Sequence, residues 1–538
     1  MSFARPFYVS LTLGLATLGG NTLAWAESAP TMQRRIDTVI ASVPSADPDR
    51  NGRTLREFYR ARGYHLAWTG PKAAAGARLL DEMPGRAIAE GLDRSPYALP
   101  ASPSTEIEAD VLQSSALLRL GRDIAIGRLD PDRSFGGFGG KNRNGFDGVR
   151  FLRGLADGKP LADQAAAYQP PFVGYLRLKE GLEKTQAIAR AGGWPTIPDG
   201  PKLIPLESID DRLPILRRRL IATGDLDPAL ADGTTYDSQV VEAVKRFQRR
   251  HGLDPDGTIG ARSLAALNVP VEARLRQIAA NLERWRWMPH QLGRLHVSVN
   301  IPAASLDLVE DGAVAISMRV VVGDTRHPTP SMDTSMSSVV LNPPWSVPTS
   351  IVNNEILPKL RRDPNYLANR NLQIADYPED SPEAAGDGID WNAIGKKFPY
   401  RLRQAPGPDN ALGQLKFNLR NADDIYLHDT PNHRAFSRAY RALSHGCIRL
   451  EEPVELGEIL LGKSWRGRLG ENLNADKRTR TLKLERNIPV YLVYFTAWVD
   501  PAGEINFRED IYGHDRRLGQ ALRQSRAPSR PRPAPPPT

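Results

Sequence analysis

The feature that most constrains this chain is a change of hydrophobic period at Pro289. Before it, apolar residues recur at helical spacing over 55–62, 111–126 and 175–191, and in the amphipathic run EARLRQIAANLERWRW at 272–287. After it, RLHVSVN, AVAISMRVVVG, SSVVLNPPW, DDIYLHD and IPVYLVYFTAWVD are rich in β-branched and aromatic residues. They alternate with period two and are bounded by Gly, Pro and Asn. Residues three or four apart share a helix face, whereas every second residue shares a strand face. The chain is therefore expected to be multidomain α+β. Its strands have no regular helices between them, so a mixed or antiparallel sheet is expected.

At 538 residues there is room for three or four units with their own cores. The amino end, with Arg5, an apolar stretch over 7–18 and Ala24-Trp25-Ala26, reads as a cleavable signal peptide at 1–26 and implies export. Residues 27–205 read as a helical scaffold without a catalytic constellation, and His65 in GYHLAW reads as a packed histidine. Residues 206–270 read as three helices. The first spans 213–221. The second is capped by Asp237 or Ser238, carries Val240, Val244, Phe247 and His251 on one face, and stops at Gly252. The third follows a DPDG turn, is capped by Thr258 and carries Leu264 and Leu267.

A linking helix at 271–295 leads into a β domain at 296–500. Its strand pattern breaks at 351–403 into a helix-like NEILPKLRR and a polar loop. That stretch is expected to be a strandless inserted subdomain, placed as a lid. Residues 501–538 read as a basic, Pro-rich, extended tail. From Arg516 onward it holds six arginines and no acid, and removing those six from the net +9 leaves +3. The charge is thus a property of the tail, and with no basic helix or phosphate loop nucleic-acid binding is not expected. No run reaches the roughly 20 apolar residues of a membrane span, so none is expected after signal cleavage.

The chemistry-bearing segment is YLHDTPNHRAFSRAYRALSHGCIRLEEP at 426–453. It holds the only cysteine, Cys447, and three of the nine histidines, His428, His433 and His445. A free thiol, with a pKa near about 8.5, is a weak nucleophile at neutral pH until an imidazole takes its proton. His428 closes a strand run, and the helix-like AFSRAYRAL can bring the chain back to Cys447. Gly446 lets backbone approach a substrate carbonyl, and the amides of Gly446 and Cys447 are candidates for an oxyanion site. Duller readings stand beside these. Cys447 can be a small buried hydrophobe. His445 can be a second base, an oxyanion-side donor or a structural residue, and His433 reads as surface. Arg449 either holds a substrate carboxylate or pairs with Glu451 or Glu452. The His and Asp spacing fits no hydrolase zinc motif, so no metal is expected.

HDTP followed by SHGCIRL resembles the signature of the L,D-transpeptidase family, and the resemblance extends over about 296–495 through VVVG, TP, NPPWSVP and NALG…KF…N. VVEAVKRFQRRHGLDPDGTIGARSLAALN resembles the peptidoglycan-binding module of cell-wall enzymes. Together with the helical front, the architecture resembles the large periplasmic branch of that family. The resemblance implies a β-rich sandwich, with 351–403 as a capping subdomain. It implies Cys447 as nucleophile and His428 as proton acceptor and donor, oriented by the carbonyl of Asp429 or a neighbour. His445, Gly446 and Arg449 then shape the oxyanion and donor side, and Trp345 and Tyr426 wall the cleft, though core packing suits both equally. Asp429 stands where Gly frequently follows the first histidine.

The implied activity is 3→3 cross-linking of peptidoglycan tetrapeptide stems through a thioester, with no cofactor and with carbapenems as acylating agents. An L,D-carboxypeptidase or wall-anchoring transpeptidase on the same site, or a non-catalytic peptidoglycan binder, are the alternatives.

Overall fold

The computed structural model describes residues 28–43, 48–99, 103–140, 145–200, 209–395 and 397–525. The signal-peptide reading of 1–26, and the part of the tail at 526–538, lie outside them. The helical unit is built on Glu106–Ile126, which Thr105 caps by accepting the Glu108 N–H. Val111, Leu117, Leu120 and Ile124 of this helix are buried with Phe58, Tyr59 and Phe151. His65 is exposed, contrary to the packed reading. Its neighbours Ala67 and Trp68 turn inward instead, because their N–H groups donate to the buried Asp110 carboxylate at 2.9 and 2.6 Å.

The three-helix module comprises Leu213–Ile221, Ser238–Arg250 and Ala261–Leu267. Asp237 caps the second helix at 3.0 Å from the Val240 N–H, and Val240, Val244, Phe247 and His251 are all buried. Thr258 is not the cap of the third. Gln248 clasps the preceding turn, accepting from the Gly257 N–H and donating to the Thr258 carbonyl, so the helix starts later, after Gly260.

Helix Val271–Trp287 is more than a link. Its Ile278 and Leu282 share one core with Tyr175, Leu178 and Leu182 of helix Val173–Arg190 and with Ala497, Val499 and Phe507. The expected tail is likewise folded as far as residue 525. Ile505–Phe507 pairs as a hairpin with Ala497–Val499, and His514–Gln524 is a helix whose Leu518 packs on Ala280 and Trp287. Leu518 and Leu522, one helical turn apart, carry that packing among the arginines that dominate the composition.

The β domain runs through β1 (Leu295–Asn300), β2 (Ser305–Glu310), β3 (Ala313–Gly323), β4 (Met332–Leu341), β5 (Trp345–Ser346), β6 (Leu372–Ile374), β7 (Leu402–Gln404), β8 (Leu415–Leu419), β9 (Leu427–His428), β10 (Ala442–Ser444), β11 (Ile448–Leu450) and β12 (Arg480–Val493). The hairpin strands of 497–507 are β13 and β14. The main sheet has the order β10-β3-β11-β9-β8-β4-β12-β1-β2, and its ladder closes because β3 also pairs with β2. The sandwich implied by resemblance is thus a closed ladder in hydrogen-bond terms. Three pairings are parallel, β1–β12, β3–β10 and β9–β11, and the sheet is mixed. Val297, Val299, Leu306, Leu308, Val320 and Phe417 fill its interior, each such side chain contributing ~1.5–3 kcal/mol by burial.

Two local readings change. AFSRAYRAL forms only a short 3-10 turn, His433–Ser437, and then an extended run into β10, because Ala442 pairs with Val322 of β3. The insertion also contains strands. Its β6 and β7 join β5, which lies just before it, in a three-stranded antiparallel sheet of order β5-β7-β6 over a separate core of Val352, Ile356, Leu360, Leu367, Trp391 and Phe398. Strands of two or three residues are too short to show an alternation in sequence.

Candidate active site

Period two places the site. On β8, β9 and β11, Phe417, Leu427 and Ile448 face the core, so their alternates Lys416, Tyr426, His428, Cys447 and Arg449 face the other way. All five line one cleft of about 690 Å³, whose opposite wall is formed by Trp345 and Pro348, just before the insertion, and by Ile351 and Glu355 within it. Lys416 pairs with His428 across β8–β9, and His428 with Arg449 across β9–β11, so the three stand in one row. Ile448 pairs with Leu427, which sets Cys447 beside Tyr426 and one step diagonally from His428.

His428 donates Nδ1–H to the Asp429 carbonyl at 2.5 Å, which leaves Nε2 as the acceptor. Burial first, then the Arg449 charge, holds the imidazole down to about 3. Burial also pushes the Cys447 thiol above its ordinary range. The Tyr426 N–H and hydroxyl, together with Lys416 and Arg449, oppose that shift by favouring a thiolate. The Sγ–H reaches the Asp424 carbonyl at 3.7 Å. At neutral pH the resting pair is therefore a thiol and a neutral imidazole of the right tautomer. Cationic and hydrogen-bonding groups stand ready for the sulfur's negative charge.

The loop around Cys447 is fixed in part by Thr329 and Ser444, which the sequence did not single out. Gly446 has φ +112°, a conformation that favours glycine, and a Cβ there would meet Ile425 at 3.3 Å. Its carbonyl accepts from Thr329 Oγ1 at 2.7 Å, and Thr329 Oγ1 in turn accepts the Gly323 N–H at 2.8 Å. The Gly446 N–H donates to Ser444 Oγ at 3.1 Å, so this amide is already committed, contrary to its expected oxyanion role. The Cys447 amide remains as the candidate donor. Asp429 accepts the Gln414 and Thr430 N–H groups at 2.8 and 2.7 Å. Gly413 makes room for it, since a Cβ there would fall 2.3 Å from the Asp429 Cγ. The acid in place of glycine therefore braces the turn that carries His428. Lys416 was present in the KF run, and its facing follows from alternation with Phe417. Thr329 left only the TP dipeptide as a signal.

The remaining expected residues sort themselves by partner. His445 turns its Nε2 to the Glu355 carboxylate of the insertion and rests beside the His327 ring, 4.8 Å away. Arg449 does not pair with Glu451, which is held by the Arg319 guanidinium and N–H. The buried Arg449 Nε has no hydrogen-bond partner. Tyr426 is half-buried with the Lys416 amine over its ring at 4.1 Å, and Trp345 is half-buried between the cleft and the insertion's core. His433 is exposed. Among the described residues no group of three His, Cys, Asp or Glu side chains is arranged to hold a metal ion, and no helix is long and apolar enough to cross a membrane.

Comparison with known families matches three stretches. Residues 294–464 match the YkuD family, described as the L,D-transpeptidase catalytic domain. Residues 53–182 match a scaffold domain, and 210–267 a domain described as "Putative peptidoglycan binding domain". A Haemophilus influenzae protein described as "Putative L,D-transpeptidase" is 41% identical over 249 residues, 46% of this chain and 49% of that protein; the match thus spans about half of the relative's length. Among solved structures, an L,D-transpeptidase from Mycobacterium smegmatis is similar at 14% identity over 37% of this chain and 58% of that one, with a TM-score of 0.18. The L,D-transpeptidase of Xylanimonas cellulosilytica is similar at 16% identity over 55% of this chain and 99% of that one, also at 0.18. Such scores are too low to speak for the fold. The sequence matches are specific, and the motif they cover lies on the cleft floor described above: over these stretches the chain is similar to a scaffold domain, to a domain described as "Putative peptidoglycan binding domain" and to the L,D-transpeptidase catalytic domain.

Proposed function

We propose that this protein is an exported, periplasmic cysteine L,D-transpeptidase that joins peptidoglycan tetrapeptide stems by 3→3 cross-links. The observation that carries the reading is the placement of Cys447, immediately before β11, and His428, on the adjacent parallel β9, at the floor of one cleft within the stretch that matches the L,D-transpeptidase catalytic domain. As substrate settles, His428 Nε2 takes the thiol proton while Sγ attacks the carbonyl of the third stem residue. The oxyanion forms near the Cys447 amide, with Arg449 and Lys416 supplying positive charge. D-Alanine leaves with the proton from His428, and a thioester on Cys447 remains. The side-chain amine of a second stem attacks, His428 again takes the proton, and the cross-link is released as the thiol is restored. No ATP is required, because the thioester conserves the energy of the peptide bond. The insertion opposite the sulfur limits water, whose attack would only hydrolyse the thioester.

Carbapenems are expected to acylate the same sulfur. The test is incubation with disaccharide tetrapeptide followed by mass spectrometry of the products. A dimer lacking one D-alanine supports the reading. Release of D-alanine with no dimer makes the protein an L,D-carboxypeptidase, and no turnover by folded protein removes the catalytic reading.

A further inference from the structure

A second cavity, of about 500 Å³, lies where helix Val173–Arg190, the three-helix module, helix Val271–Trp287 and the β13–β14 hairpin meet. It shares no lining residue with the catalytic cleft. Three guanidinium groups converge on it, from Arg219, Arg250 and Arg274, whose residues are 1%, 5% and 7% exposed.

The protein supplies one buried carboxylate for these three charges. Asp225 is held on both oxygens by Arg250, through Nε at 2.6 Å and through Nη2. Arg219 finds only neutral partners, the Leu267 carbonyl at 2.7 Å and Thr223 Oγ1 at 3.2 Å. Arg274 reaches Gln277 Oε1 at 2.8 Å and the Ala266 carbonyl at 3.3 Å, while its buried Nε has no partner. His251 beside them is kept neutral by burial and by the arginines. Lys184 adds a further cation and Glu504, on the exposed rim, a further acid, so the lining carries two positive charges in excess. A buried guanidinium without a counter-charge is costly. Burial and mutual repulsion accordingly hold Arg219 and Arg274 down to about 9.

Apart from Thr185 and Thr223, the rest of the lining is apolar, aromatic or glycine. Trp194 stacks on Arg219 at 4.1 Å and Phe507 on Arg274 at 4.5 Å, which locks both planes. Planar guanidiniums fixed in this way match the paired oxygens of a carboxylate or phosphate. A purely structural role, tying domains through carbonyl bonds, would not call for two positive charges in excess around an open cavity.

We propose that this interdomain cavity binds a small organic oxyanion, its head held by Arg219 and Arg274 and its body against Trp194 and Phe507. Because the peptidoglycan-binding domain contributes Arg219 and Arg250, a carboxylate-bearing peptidoglycan fragment is the source to which we commit. The proposal is independent of chemistry at Cys447.

The test is calorimetric titration of the full chain with three probes. N-Acetylmuramic acid carries a carboxylate on an apolar arm, N-acetylglucosamine is its ring without that arm, and inorganic phosphate is a bare oxyanion. The sugar acid is expected to bind saturably and its neutral congener not to bind. The dissociation constant should rise at least tenfold in Arg219→Gln and Arg274→Gln and stay within twofold in Arg449→Gln, which alters the cleft instead. Ile188→Trp fills the cavity with every arginine kept, so it decides the matter where an arginine variant fails to fold, and it too should abolish binding. Binding of phosphate alone, sensitive to the same variants, keeps the oxyanion site and assigns its head to phosphate. No saturable binding of either anion, or binding indifferent to all three cavity variants, overturns the proposal.

Discussion

The cleft floor and the helical module bury the same chemistry and put it to different ends. His428 lies beside Arg449 and Lys416, and His251 lies beside Arg250, Arg274 and Arg219. Burial and neighbouring cations hold both imidazoles far below their ordinary range. Each ring is also bonded through Nδ1 to a main-chain carbonyl, that of Asp429 or that of Phe247. The difference is company. His428 shares its cleft with a thiol, whereas His251, stacked on Phe247 at a ring distance of 3.7 Å and 5.6 Å from the Phe507 ring, shares its cavity with arginines and no nucleophile. A displaced histidine pKa therefore records burial, and only the second reactive group distinguishes a candidate catalytic residue.

The strongest way to break this comparison is to remove the thiol. Cys447→Ala should lower turnover on disaccharide tetrapeptide by on the order of 10⁴-fold or more, with far-UV circular dichroism unchanged. His428→Ala should lower kcat by about 10²–10⁴-fold, while His251→Phe should leave kcat within about twofold; comparable losses in the two would end the distinction. Tyr426→Phe removes a donor to the charged sulfur. One such hydrogen bond is worth about 1.5–3 kcal/mol, so the acylation rate should fall at least tenfold, measured by stopped-flow with a carbapenem.

The protonation states sharpen the contrast further. With His428 held down to about 3 and the thiol pushed up, the neutral pair persists from about pH 5 to 8. The kcat/KM profile should be flat there, and iodoacetamide alkylation of Cys447 should keep accelerating beyond pH 8.5. A thiolate–imidazolium pair would instead give an alkylation plateau near neutrality.

The smallest effect is on stability. His251 stays neutral when folded but takes a proton near pH 6.5 when unfolded. Its neutral form is therefore compatible with the fold above about 6.5, and stability is lost as pH falls through that value. In His251→Phe the slope of unfolding free energy between pH 6 and 5, from urea titrations, should be shallower by up to ~1.4 kcal/mol per pH unit.

How much of this was legible varies with the length of each pattern. β3 appears in the sequence as an eleven-residue alternating run and folds over that span, Ala313–Gly323. The helix 213–221 was equally plain. The 3-10 turn after His433 was misread as helix, because the demand of β3 for a partner outweighed local propensity. Cys447, His428 and their neighbours stood out as candidates because a lone thiol among histidines is chemically conspicuous. Thr329, Ser444, Lys416 and Glu355 are common residue types whose importance arises only from what they touch. The 501–525 segment was hidden by its arginines, since two leucines suffice to dock an amphipathic helix on a ready-made surface.

The sequence by itself determined the change from helices to sheet and the three-helix module, and it named the candidate residues for acyl chemistry. Each of these follows from periodicity or from the reactivity of a single side chain. The tertiary structure decided which groups meet: the row of Lys416, His428 and Arg449, the engagement of the Gly446 amide by Ser444, the contact between His445 and Glu355, and the convergence of three arginines between domains. Strand register and domain docking bring residues far apart in sequence within hydrogen-bond reach, and no local pattern encodes those distances.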